Sequence, residues 1–98
     1  MIVSAWKAAT YGIRVGQANA REYFDRSWEQ VEVEINGKFY SFKLSPTFWT
    51  TCPELRGGPI PDWLKEQGLV PWPKGKPPKF RLEPLGDKKF RLYRNKNK

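Results

Sequence analysis

Catalysis requires a nucleophile with its base, a pair of carboxylates or a set of metal ligands, and this sequence supplies few of these parts. Cys52 is the single cysteine and there is no histidine. A Cys-His nucleophilic pair, an intrachain disulfide and the usual His/Cys zinc sites are therefore excluded. Between Thr51 and Pro53, Cys52 reads as a small buried hydrophobe. Glu32 and Glu34 share one face of a strand, but it is the solvent face of a hairpin beside Lys43, where glutamates are ordinarily hydrated. Pro61-Asp62 has no Glu-x-Lys after it to complete a nuclease motif. Gly57-Gly58 and Lys74-Gly75-Lys76 lack the strand-loop-helix setting of a phosphate cradle. The residues predict no catalytic group, no metal and no cofactor.

Charge is the informative feature. The net +8 is unevenly placed: residues 1–73 carry eight Lys/Arg and eight Asp/Glu, whereas residues 74–98 carry ten Lys/Arg against Glu83 and Asp87. In that last quarter Phe80 and Leu82, then Phe90 and Leu92, alternate with Lys79, Arg81, Lys89, Arg91 and Tyr93. Two strands are expected, with the apolar set inward and the cations and tyrosine outward. Lys88 falls in the turn between them, and Lys74 and Lys76 lie in the segment before them. Contact with a nucleic-acid backbone needs several cations on a rigid surface with an aromatic nearby. Arg81 and Arg91 also match the paired acceptors of a guanine edge. Lysine on exposed strands also keeps sheet edges soluble, but the concentration of the entire charge excess here favours binding. DNA is the expected partner, contacted through Lys74, Lys76, Lys79, Arg81, Lys88, Lys89, Arg91 and Tyr93. RNA or an acidic protein would meet the same cations. The alternative is a protein-interaction module presenting Trp72, between Pro71 and Pro73, to an acidic or aromatic partner, although Trp72 by itself reads first as a lid on the core.

The elements that must position these groups begin with residues 30–44. Val31, Val33 and Ile35 alternate with Glu32 and Glu34, and Tyr40, Phe42 and Leu44 alternate with Ser41 and Lys43. Asn36-Gly37 between them predicts a type I′ hairpin turn, since both residues tolerate positive φ. The register then sets Ile35 opposite Lys38, Val33 opposite Tyr40 and Val31 opposite Phe42, with both apolar rows on one side. A hairpin alone is marginal in water, so the rest of the chain must cover it.

Elsewhere, Tyr11, Ile13 and Val15 predict a short strand, while residues 1–10 fit strand or helix. Asn19 and Glu22 have capping-box spacing, predicting a helix through Arg26 that buries Tyr23 and Phe24. Ser45-Pro46 opens a short helix, and residues 54–58 read as a loop. A second helix starts at Pro59 to Asp62, with Ile60, Trp63, Leu64 and Gln67 on one face and Gly68 as its terminator. Residues 71–78 hold four prolines and read as an extended surface segment. A Gly86-Asp87 loop would mix the faces of the final hairpin, so a loop of odd length, with room for a bulge, is expected there. Trp28, Phe48, Trp49 and Trp63 are expected in the core. The fold class is mainly β with short helices, a small barrel or pseudobarrel in a single domain over residues 1–94, with a basic tail at 95–98. With no membrane-length apolar run and no signal-peptide layout, a cytoplasmic protein off the membrane is expected.

Phe48-Trp49, the run Cys52, Pro53, Glu54, Leu55 and Arg56, then Trp63-Leu64, Gly68 and residues 71–82, together with Tyr11-Gly12 and Tyr23-Phe24, resemble small bacterial proteins of unassigned function. That likeness implies no activity. More loosely, the order of helix, hairpin, Trp-containing helix and basic terminal hairpin is similar to the DNA-binding pseudobarrel of plant transcription factors and of the effector-binding domains of some restriction endonucleases. It implies a barrel that binds DNA, without a clear match to the base-contacting arms of that family.

Overall fold

The computed structural model describes residues 1–7, 10–50 and 53–94. The elements run β1 (Ile2–Lys7), β2 (Tyr11–Arg14), α1 (Gln17–Tyr23), β3 (Gln30–Ile35), β4 (Lys38–Lys43), α2 (Pro46–Thr50), β5 (Glu54–Arg56), α3 (Ile60–Glu66), β6 (Lys79–Gly86) and β7 (Lys89–Arg94). The strands form one sheet in the order β4-β3-β7-β6-β1-β2-β5. Every neighbouring pair is antiparallel except β3 with β7, which is parallel. The edge strands β4 and β5 approach each other without a ladder. The cleft left between them, about 240 Å³, is lined by Phe42, Lys43, Ser45, Thr47, Glu54 and Arg56. The sheet is thus a nearly closed barrel around one apolar core.

The Asn36-Gly37 hairpin forms with the expected register: Val31 faces Phe42, Val33 faces Tyr40 and Ile35 faces Lys38. Both turn residues have positive φ, 54° and 87°. A slip by one residue would expose Val31, Val33 and Ile35, now at most 3% exposed, at a cost of about 1.5–3 kcal/mol for each. The final hairpin also sorts its faces, with Phe80, Leu82, Phe90 and Leu92 buried and Leu82 opposite Leu92. Its turn is centred on Asp87 and Lys88, at φ 54° and 62°. The loop has two residues and not the odd length expected; the parity is restored by a bulge between Pro84 and Gly86.

Helices close the two ends of the barrel. α1 and α2 follow β2 and β4, and bring Phe24 and Phe48 together with centroids 5.1 Å apart. Phe24 also stacks on Phe90 at 4.7 Å, with Trp28 half-buried beside them. At the other end α3 buries Ile60, Trp63 and Leu64, and Trp63 packs 4.9 Å from Phe80. Gly68 stops α3 at φ 71°. The Gly68 N–H donates to Lys65 O and the Leu69 N–H to Leu64 O, the paired bonds of a Schellman motif.

Three local expectations are corrected. Residues 54–56 are not loop but strand β5, which pairs with β2; three residues are too few to display alternation, and pairing decides the conformation. Asn19 and Glu22 do not form a capping box. α1 begins earlier, with Gly16 as N-cap, and ends at Tyr23, since Phe24 is extended and so turns its ring into the core. Asn19 instead donates from Nδ2 to Val15 O and Ile2 O, both at 3.0 Å, tying α1 to β1. Glu32 and Glu34 stand beside β7 as well as β4, opposite Lys89 and Arg91. Cys52 and the tail at 95–98 lie outside the described residues. No helix among the described residues is long and apolar enough to cross a membrane.

Candidate nucleic-acid interface

The outer surface of β6 and β7 carries every strand cation expected from the sequence, but the parallel strand β3 divides them. Lys79 and Arg81 are exposed and have no ion-pair partner among the described residues. Tyr93, opposite Arg81, is 39% exposed. Lys89, by contrast, lies opposite Glu32, with its Nζ 5.5 Å from the centre of the Phe39 ring. The Arg91 Nε donates to Glu34 Oε1 at 3.0 Å, and one Nη lies 3.7 Å from Glu83 Oε1. The hydrogen bond to Glu34, followed by the charge of that carboxylate, raises the guanidinium pKa above its ordinary value. Arg91 is thereby held between two glutamates, Glu34 and Glu83.

The remaining expected cations are spread along the barrel. Lys88 sits in the turn after β6, while Lys74 and Lys76 precede its first residue, in a segment closed by a Lys76 N–H to Pro73 O bond of 3.0 Å. β6 has eight residues, about 26 Å of extended chain, so Lys88 and the Lys74/Lys76 pair lie at opposite ends. Among the described residues the expected eight thus divide into Lys79, Arg81 and Tyr93 on one side, Arg91 paired with glutamates and Lys89 over Phe39 on the other, and two separate loops.

Sequence reasoning missed a second cationic cluster on the outer face of β1, β2 and β5. The Glu54 side chain is only 2% exposed and is approached by two guanidinium groups that are about half-exposed: Arg56 at 3.2 Å and Arg14 at 3.6 Å. Arg56 also donates from Nε to the same Glu54 oxygen at 3.2 Å. Both guanidinium carbons lie over the Trp6 ring, 5.2 Å away for Arg14 and 5.5 Å for Arg56. Two cations are set against one carboxylate. The outward position of Arg14 is visible in the alternation of Tyr11, Ile13 and Val15, but Arg56 and Glu54 have no face until β5 pairs. Gly12 makes that strand possible: a Cβ there would lie 2.7 Å from the Leu55 carbonyl oxygen.

Trp72 is half-buried against the core, with its ring edge-on to Tyr11 at 5.6 Å. This is the lid arrangement, and it withdraws much of the ring from any partner. A groove of about 390 Å³ between α1 and α2 is lined by Arg21, Arg26 and Trp49 among others, and has no carboxylate or thiol in its described lining. Among the described residues no three His, Cys, Asp or Glu side chains gather as a metal site. Comparison with protein-family models, with characterised proteins and with solved structures yields no match.

Proposed function

We propose that this protein is a small nucleic-acid-binding module, with DNA as the favoured ligand, acting in the cytoplasm and engaging phosphates through the outer face of β6 and the Lys/Pro segment before it. The observation that carries this reading is the exposure of Lys79 and Arg81 beside Tyr93, with no carboxylate paired to either among the described residues. These groups stand in the quarter of the chain that holds the whole charge excess. A barrel is the fold class that the likeness to DNA-binding pseudobarrels implies, and fold alone assigns no function.

The test is binding of labelled DNA as a function of salt. The log-log slope is expected to be about −0.9 per phosphate neutralised on duplex and about −0.7 on single strands. Arg81→Ala should weaken binding and flatten the slope by about one contact, whereas Lys65→Ala, on α3, should do neither. Equal effects from the two variants would indicate diffuse attraction without a site. Absence of binding at low salt would refute the reading and return attention to the Pro71-Trp72-Pro73 segment as a protein-interaction element.

A further inference from the structure

We infer that the outer face of β1 is a binding track for a single-stranded nucleic-acid segment, with the Trp6, Arg14 and Arg56 cluster as its second wall. This deepens the nucleic-acid reading above and rests on it. The outward residues of β1 are Ile2, Ser4 and Trp6, alternating with buried Val3 and Ala5. None is charged, and Ser4 is short. On one flank Arg81 stands opposite Ile2 and Lys79 opposite Ser4. On the other flank Arg14 stands opposite Ser4, and Arg56 stands opposite Gly12, which faces Trp6. Neighbouring strands are about 4.8 Å apart, so long cationic side chains rise on either side of an uncharged floor roughly two strand spacings wide.

That arrangement has the two parts that single-strand binding uses: cations that follow the backbone, and flat groups on which bases stack. At one end the half-exposed guanidinium groups of Arg14 and Arg56, seated over Trp6, offer the flat cationic surface, and Tyr93 beside Arg81 offers an aromatic one at the other. The arginines are pre-positioned. Glu54 and the indole hold them, yet each remains about half-exposed. A guanidinium has five N–H donors, and Arg56 uses only two on Glu54, so donors are left to take a phosphate. Glu34 and Glu83, the nearest other carboxylates on β3 and β6, are engaged by Arg91. Reading a duplex requires an element that projects into a groove; this face is a strand surface with an uncharged centre flanked by cations.

The experiment measures fluorescence anisotropy of a labelled oligothymidine and of a duplex of the same length, with the wild-type protein and with Trp6→Leu, Arg14→Gln, Arg56→Gln and Arg26→Gln. The wild type should bind the single strand more tightly. The first three variants should each lose about tenfold in affinity, and Arg26→Gln, at an arginine that lies over Trp49 of α2, should bind as the wild type does. Because Trp6→Leu and Arg56→Gln could disturb β5, the wild-type protein is also photo-crosslinked to a bromouracil-substituted strand, with the crosslink expected in the peptide containing β1. Tighter binding of the duplex, or a crosslink confined to other peptides, overturns the inference. So does unchanged affinity in the three variants alongside a loss in Arg81→Ala, and that pattern leaves the nucleic-acid reading standing. Failure of the wild type to bind either probe removes the nucleic-acid reading itself.

Discussion

Glu54 shows how one side chain ties stability to the candidate interface. Its carboxylate is buried and its two cationic neighbours are about half in water, so the pair is less costly to desolvate than a fully interior one. Glu54→Ala would leave Arg14 and Arg56 close together with no counter-charge. A loss of about 1–3 kcal/mol is expected, read by thermal or denaturant melting. Asp25 provides a smaller, pH-dependent effect. It accepts the Ser27 N–H at 2.8 Å and the Ser27 hydroxyl at 2.7 Å, and these bonds, the backbone one first, hold its pKa below the usual 3.8. A carboxyl whose pKa is lower in the folded state stabilises fully above its unfolded value and loses that contribution as pH falls through the lowered one. Wild type and Asp25→Asn should therefore differ most in melting temperature near neutral pH and converge in strong acid.

Among the elements, turns and close approaches set what can be substituted. Gly37→Val should destabilise by on the order of 1 kcal/mol or more, because a β-branched residue resists the positive φ of the type I′ turn. Lys88 holds φ 62° without being glycine, so Lys88→Gly should raise stability by roughly 0.5 kcal/mol, measured in the same melts. Gly12→Ala meets a different obstacle. Its added Cβ would lie 2.7 Å from Leu55 O, forcing β5 away from β2 at a cost of about 1–3 kcal/mol, and a loss of DNA affinity should accompany it if Arg56 belongs to the interface. The first hairpin is legible in the sequence because turn chemistry and face pattern agree within it; in the last hairpin the face pattern alone is legible, and a bulge reconciles it with the turn. β5 is not: its three residues become a strand only through β2, a partner far earlier in the chain.

For the whole molecule, the decisive event is the parallel pairing of β3 with β7. It sets the glutamates of the first hairpin against the cations of the last, pairs Arg91 with Glu34, and leaves Lys79 and Arg81 without an ion-pair partner among the described residues on the side toward β1. Because Lys88 and Lys74 lie at opposite ends of β6, a short oligonucleotide on β1 should not reach both. Lys88→Gln is expected to change its affinity by less than about twofold, a surface cation outside the contact being nearly neutral, while a longer strand should register the loss; titrations with the two lengths check this. The apolar alternation, the Asn36-Gly37 turn, the helix stop at Gly68 and the location of the net charge can all be read along the chain, since each depends on residues within a few positions of one another. Which cations remain available is settled by folding instead. Neutralisation by Glu34, burial of Glu54 and the meeting of Arg14 with Arg56 over Trp6 arise from contacts between strands distant in the chain, and a charge count carries no information about which strand lies beside which.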